Sequence, residues 1–397
     1  MIGFKETDLG SIPNDWGFVR FEKVAELRHG HQFRSYDFTE DGIKIVKITQ
    51  IKGNGNMDIS SCSFVDINRI DEFQGDIIMK GDILIALTGA TIGKIARCNS
   101  HEVLLQNYRV GNFFSKNEKK LCRNYLYQFL RSNYFFHQIL ARQTQSAQQN
   151  IGKDEINSMN LFLPSIEEQK AIAKVLTAFD DKIELLQAQN KTLETMAQTI
   201  FKEWFGKYQI GDELPEGWRV GKLGEIVTPL KGKNITKKQV ITGKYPVIAG
   251  GLKPSVFHNV CNTKSPVLTV SASGANAGYV ALHHNPVWSS DSTFIDISFT
   301  DSFYFIYVFL KNNQSLIFDK QEGSAIPHVY PRHLENLDIV IPNFIELEKY
   351  EKVAENFFNK ISNNTSQILS LTKTRDTLLP KLMSGQVRVN HQKLQSS

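Results

Sequence analysis

Cysteine is scarce: four residues in 397, at Cys62, Cys98, Cys122 and Cys261, with no CxxC pair among them. That spacing argues against a structural zinc and a disulfide framework, and it suits a reducing compartment. Long apolar runs are missing too. The greasiest stretch, Phe303 to Leu310, is too short to cross a bilayer. The first residues, Met1-Ile2-Gly3-Phe4-Lys5-Glu6, hold no apolar signal core. The expectation is a cytoplasmic protein with no membrane partner.

Catalytic signatures are equally sparse. His283-His284 and His29-x-His31 have no cysteine or carboxylate cluster at metal-ligand spacing, so no metal site is expected. No GxSxG elbow occurs, and no carboxylate pair asks to be a nuclease. The stretch Gly89-Ala90-Thr91-Ile92-Gly93-Lys94-Ile95 superficially resembles a phosphate loop. It has one residue too few between its glycines, and Ile95 where Ser or Thr is required. Asn285-Pro286-Val287-Trp288 is close to the Asn-Pro-Pro-aromatic motif of adenine methyltransferases, but Val287 breaks it and no glycine-rich cofactor loop precedes it. No catalytic residue and no cofactor bound by this chain are predicted.

Acidic residues are absent from one long tract. Ile226 to Ser290 contains no Asp or Glu but seven lysines: Lys231, Lys233, Lys237, Lys238, Lys244, Lys253 and Lys264. Ile83 to Lys116 has a single acid, Glu102, against Lys94, Arg97, Arg109 and Lys116. With a formal net charge of +5, this local bias fits a surface facing phosphates. A solvated basic face is the plainer reading of either tract alone. Their occurrence in corresponding parts of a repeat favours nucleic acid.

The repeat is the dominant feature of the chain. Ile12-Pro13-Asn14-Asp15-Trp16 returns as Leu214-Pro215-Glu216-Gly217-Trp218. Thr88-Gly89-x-x-x-Gly93 between apolar runs returns as Ser273-Gly274-x-x-x-Gly278, which reads as strand, tight glycine loop, strand. Phe129-Leu130-Arg131-Ser132-Asn133 returns as Phe309-Leu310-Lys311-Asn312-Asn313, in stretches that read as a buried helix. Met159 to Pro164 returns as Leu337 to Pro342. The offset falls from 202 (Ile12 to Leu214) to 178 (Met159 to Leu337), so the scaffold is shared while loop lengths differ.

A heptad seam follows each proline. The first comprises Ile172, Leu176, Phe179, Ile183, Leu186, Asn190, Leu193, Ala197, Ile200 and Trp204. The second comprises Tyr350, Ala354, Phe357, Ile361, Asn364, Ile368, Leu371, Arg375, Leu378 and Leu382, with Pro380 expected to end the helix. The first helix, Glu167 to Phe205, would be about 58 Å long. Chain order favours an antiparallel pair with a recognition domain at each end. Antiparallel pairing of the layers sets Asn190 opposite Asn364, a candidate register device.

Base reading needs side chains that offer paired donors and acceptors. Candidates in the first copy are Gln32, Arg34, Lys47, Thr49, Gln50, Lys52, Thr91, Lys94, Asn107 and Arg109, with Gln145 and Gln148 in the polar run from Gln143 to Asn150. In the second copy they are Lys231, Lys233, Lys237, Lys238, Ser273, Asn276, Ser290 and Asp291.

These landmarks, together with Ala197-Gln198-x-Ile200-Phe201-Lys202-x-Trp204-Phe205 and Leu378-Leu379-Pro380-Lys381-Leu382-Met383-Ser384-Gly385-Gln386-Val387, resemble the specificity subunit of Type I restriction-modification systems over essentially the whole chain. The resemblance implies a non-catalytic, sequence-specific DNA-binding subunit. It also implies double-stranded DNA and two methyltransferase subunits as partners, with restriction subunits reached through these. S-adenosylmethionine, ATP and Mg would sit on the partners, and one adenine in each half of a split site would be methylated. The expected fold class is α+β: two mixed α/β target-recognition domains separated by a long antiparallel two-helix coiled coil, internally duplicated with pseudo-twofold symmetry. The expected segments are 1–165 and 208–343 for recognition, and 166–207 and 344–397 for the helices and tail. The runner-up is a coiled-coil scaffold with two protein-binding heads and no DNA function.

Overall fold

The computed structural model describes residues 3–53, 55–142, 150–254, 256–323 and 325–389. The chain divides into two compact units, Met1–Ile183 with Leu369–Ser397, and Glu184–Ile368. Each unit holds one copy of the repeat and a stretch of each of two long helices, Ile166–Trp204 and Phe344–Met383.

In the first unit a four-stranded antiparallel sheet runs in the order Ala25–His29, Val110–Ser115, Ile83–Ala86, Ile95–Arg97. Ile83 to Leu87 are all buried, because the two faces of this strand pack against different apolar clusters: Ile83 and Ile85 on one side, Leu84 and Ala86 on the other. A second sheet contains the parallel pair Ile43–Val46 and Leu104–Gln106. The aromatic helix Arg123–Leu130 lies in the larger core, burying Tyr125, Leu126, Tyr127, Phe129 and Leu130.

The second unit repeats the order of the four-stranded antiparallel sheet and the parallel pair, although its second sheet has three strands where that of the first unit has four. Its sheet order is Leu230–Lys231, Ser292–Asp296, Val267–Ser271, Val280–His283, and its parallel pair is Thr242–Ile248 with Trp288–Ser289. The apolar run that could not span a bilayer is the core helix Phe303–Asn312, buried at every position from Phe303 to Leu310 except Phe309. Glu351 caps its first turn by accepting the backbone N–H groups of Tyr304 and Phe305 at 3.1 and 2.7 Å. Burial raises this carboxyl to about 7 against the pull of those two donors.

The outermost landmarks of each copy are neighbours in space. Gly17–Arg20, just after the first Pro-x-x-Trp turn, pairs antiparallel with Asn160–Leu163, just before the helix proline. Arg219–Lys222 pairs with Asp338–Ile341 in the same way. Each turn is closed by the tryptophan backbone N–H donating to the proline carbonyl at 3.0 Å (Trp16 to Pro13, Trp218 to Pro215).

The helix segments run antiparallel within each unit. In the second unit Asn364 Nδ2 donates to Asn190 Oδ1 at 2.9 Å, and Tyr350 Oη donates to the Ala197 carbonyl at 3.2 Å. In the first unit Ile172 and Leu176 share a core with Leu378, Leu379, Leu382 and Met383. Arg375, a charge on an otherwise apolar seam, has a partner there: its Nη1 meets Asp180 Oδ1 at 2.8 Å. Arg131 Nη1 meets the other oxygen of Asp180 at 2.7 Å, and Gln128 donates to it at 3.0 Å. Burial pushes Asp180 up, but Arg131, Gln128 and Arg375 outweigh it and hold the carboxyl below its ordinary value.

Two expectations about the helices are corrected. Pro380 does not end the second helix, which continues to Met383. A proline this close to the terminus forfeits only one helical hydrogen bond, and the burial of Leu382 and Met383 offsets it. Trp204 is exposed at 37%, while Phe201 and Phe205 are buried in its place. The last turn leaves the seam because these two rings pack on Phe305 and Tyr350.

Candidate nucleic-acid interface

The glycine loops are superimposable in their hydrogen bonding. In the first unit Ala86 N donates to Lys94 O, Gly93 N to Ala86 O, Ile92 N to Gly89 O and Lys94 N to Thr91 O. In the second, Ser271 N donates to Tyr279 O, Gly278 N to Ser271 O, Ala277 N to Gly274 O and Tyr279 N to Asn276 O. All four glycines have positive φ, between 70 and 91°. The second glycine of each loop is also packed: a Cβ there would lie 3.1 Å from Ile139 or from Ile317. The loops are thus backbone devices that carry Thr91 and Lys94, or Asn276, at their tips.

A chain of backbone bonds gathers the polar segments of the first unit to one edge of its sheets. Asn107 N donates to Val46 O (3.1 Å), His31 N to Gln106 O (2.8 Å), Tyr108 N to His31 O (2.8 Å) and Leu87 N to Arg109 O (3.0 Å). Gln32 and Arg34, Lys47 to Lys52, Thr91 and Lys94, and Asn107 and Arg109 therefore reach this edge from four separate stretches of sequence. Gln32, Arg34, Thr49, Lys52 and Arg109 are exposed there, and Lys47, Thr91 and Lys94 half-buried. Lys47 Nζ donates to Ser63 Oγ at 2.6 Å and lies 4.4 Å from the centre of the Phe38 ring. Lys52 faces Asp58 at 3.5 Å. Thr49 Oγ1 donates to Gln50 Oε1 at 3.1 Å.

The equivalent edge of the second unit is built alike. Ser290 N donates to Ile248 O (2.8 Å) and Ala272 N to Asp291 O (3.1 Å). The Lys231 to Lys238 loop is strapped to this segment by Gly232 N to Ser292 O (2.8 Å) and Lys233 N to Ser289 O (2.9 Å). Lys231, Lys233, Lys237 and Lys238 are all exposed, and none of the seven lysines of the acid-free tract has an ion pair among the described residues. Unpaired cations concentrated on one surface attract polyanions. Lys264 is set apart, at the far end of the sheet, where its N–H donates to Asp296. Asn276 Nδ2 donates to Gly250 O at 3.2 Å, and Ser273 Oγ donates to Asp291 Oδ2.

Three candidates are committed to the scaffold. Gln50 is 4% exposed, receives the Lys47 N–H and donates to Ser61 O. Asn107 is buried and accepts the Arg109 N–H at 3.2 Å. Ser290 is buried and accepts the Ile235 N–H at 3.2 Å. These side chains shape the loops instead of facing solvent. Gln145 and Gln148 lie outside the described residues.

Asn150, the last residue of the polar run marked in the sequence, bridges Thr88, and His328, which sequence reasoning passed over, bridges Ser273. Their separation of 178 equals the offset of the last landmark, so the repeat itself could have flagged His328. Tyr36, 81% exposed beside Arg34, carried no such signal. Among the described residues no group of His, Cys, Asp or Glu could hold a metal ion, and no helix is long and apolar enough to cross a membrane.

Comparison with known proteins matches this duplicated geometry to one family. The family model for the Type I restriction modification DNA specificity domain matches twice, over residues 13–195 and 215–393. The MjaIX Type I restriction enzyme specificity subunit of Methanocaldococcus jannaschii is 27% identical, over 97% of this chain and 96% of that one. The HindI specificity subunit of Haemophilus influenzae is 29% identical over 46% of this chain and 39% of that one. The crystal structure of a Type I restriction-modification S subunit from M. genitalium shares the fold, with a TM-score of 0.61 at 19% identity, covering 93% of this chain and 96% of that one.

Proposed function

This chain belongs to the Type I restriction-modification DNA specificity family, and from that premise we infer that it selects the DNA sequence on which a restriction-modification complex acts. It is the non-catalytic recognition subunit of that complex, acting with DNA and other subunits. The reading of the site in finer detail is ours. Each unit reads one half of a split site with the edge described above. Residues 1–165 and 208–343 carry specificity, and residues 166–207 and 344–397 form the helices that set the gap and dock two methyltransferase subunits. Those subunits supply S-adenosylmethionine and methylate one adenine per half-site. Restriction subunits, with ATP and Mg, join through them in the cytoplasm.

The observation that carries this reading is the duplicated edge. The same sheet order, parallel strand pair and glycine loop present different polar residues in the two copies. A shared scaffold with unlike tips is what two different half-sites require.

The test is single-molecule sequencing of whole DNA from cells that express the methyltransferase partner with and without this chain. A split motif with one modified adenine in each half, present only with the chain, is expected. An active methyltransferase with no chain-dependent motif would favour the protein-binding scaffold.

We further propose that Asn190 and Asn364 hold the helix register. Asn364 is 2% exposed, and its amide is satisfied by Asn190. Asn364→Leu alone should cost about 1–3 kcal/mol, since it leaves Asn190 Oδ1 without its donor while Asn190 Nδ2 keeps Thr365 Oγ1. Asn190→Leu with Asn364→Leu should recover that stability but admit shifted pairings. Cysteine cross-linking across the helices reads the register, and a single unchanged register in the double variant would sink the idea.

A further inference from the structure

One position of the repeated scaffold holds opposite charges in the two units. Along the sheet, Val110 pairs with Ala86, and the next residue outward, Arg109, accepts the N–H of Leu87. In the second unit Ser292 pairs with Ser271, and the next residue outward, Asp291, accepts the N–H of Ala272. Leu87 and Ala272 each stand two residues before the first glycine of their loops, Gly89 and Gly274. Arg109 and Asp291 are therefore structural equivalents. Both stand at the interface edge, beside the glycine loop.

Each is held by a neighbour that orients it. Arg109 Nε donates to Tyr108 Oη at 2.7 Å, with the guanidinium 5.2 Å from that ring's centre. Neither Nη nitrogen has a partner among the described residues, so the two-donor end of the fork is presented to solvent. Asp291 Oδ2 accepts the Ser273 hydroxyl, while Oδ1 has no partner among the described residues. The residue equivalent to Ser273 in the first unit is Thr88, beside an arginine that needs no donor.

A carboxylate on a lysine-rich surface meant for phosphates is repelled by the DNA backbone. It is useful there only toward a donor, and the donors on base edges in the major groove are the exocyclic amino groups of cytosine and adenine. A carboxylate, which only accepts, suits cytosine N4–H₂; adenine also presents N7, a second acceptor that an anion repels. An arginine fork with both Nη groups free suits guanine O6 and N7. We propose that this shared position is a specificity determinant in both units, with Arg109 reading a guanine in one half-site and Asp291 reading a cytosine in the other. The assignment rests on the DNA-recognition function proposed above.

The test uses the full chain in complex with its methyltransferase partner. The methylated motif is read first by genome sequencing, and the purified complex then competes for duplexes permuted at every base. Arg109→Gln should lower discrimination for guanine about tenfold to hundredfold at one position of one half-site, leaving the other half-site and the gap unchanged. Asp291→Asn should do the same at one cytosine of the other half-site and move preference toward adenine, which an amide pairs with through N6 and N7. The unaltered half-site reports that the variant has folded. If Arg109→Gln abolished all binding, Arg109→Lys should bind with reduced guanine preference at that single position. Base preferences unchanged at every position in Arg109→Lys and Asp291→Asn, with the wild-type motif intact, would overturn the assignment alone. Absence of any chain-dependent motif in the wild type would overturn it together with the proposed function.

Discussion

Changing Lys231, Lys233, Lys237 and Lys238 together to alanine should weaken DNA binding steeply at low salt and much less at high salt, without changing which sequence is preferred. The four side chains are exposed and without ion pairs among the described residues, so their loss should leave folding intact. Each cation that neutralises a phosphate releases a counterion and adds about −0.9 to the slope of log affinity against log salt. Four lost contacts reduce that slope by about 3.6. The advantage of the wild type over the variant should then shrink about 100-fold between about 50 and 200 mM salt. Phosphate contacts position the protein and carry no sequence information, so the methylated motif should survive at lower occupancy. Fluorescence anisotropy across a salt series measures the slope. An unchanged slope would show that this loop does not lie on the phosphates.

The largest stability effect is expected at Asp180. Asp180→Asn leaves Arg131 and Arg375, 11% and 12% exposed at their side chains, without the carboxylate between them. Removing one partner of a largely buried ion network costs about 3–5 kcal/mol. Arg131 then loses its carboxylate partner and Arg375 keeps only the more exposed Asp376, and the first unit should melt well below the second in calorimetry. The same contact predicts acid sensitivity. A carboxyl held below its ordinary value binds its proton more weakly in the folded state, so its stabilising contribution is present above that ordinary value and is lost as pH falls through the lowered one. Asp180→Asn should flatten this part of the acid-unfolding profile. An unaltered melting temperature would mean that the two arginines find solvent or another acceptor.

Much of the architecture could be read without coordinates. The repeat predicted two copies of one unit, and the two copies share the order of their four-stranded antiparallel sheet. The heptad seams predicted two long helices, observed as Ile166–Trp204 and Phe344–Met383. Both signals are local or periodic, and apolar spacing reports directly on which face of an element is buried. The errors lie where distant side chains intervene. Pro380 reads as a helix stop until the burial of Leu382 and Met383 is known. Trp204 fits the seam by spacing, but Phe305 and Tyr350, far away in sequence, select Phe201 and Phe205.

The candidate interface divides along the same line. Composition alone marked an acid-free lysine tract, and spacing alone marked the glycine loops, because charge and turn geometry are properties of short stretches. Duplication, helix periodicity and the side of the charge balance were thus determined by the sequence itself. Only the tertiary structure decided that Gln50, Asn107 and Ser290 turn inward to hold loops, that Arg375 on the seam is paired with Asp180, and that Arg109 and Asp291 occupy one equivalent position. Each of these depends on which backbone donor or charge arrives from a remote segment, and strand pairing, not local preference, sets that.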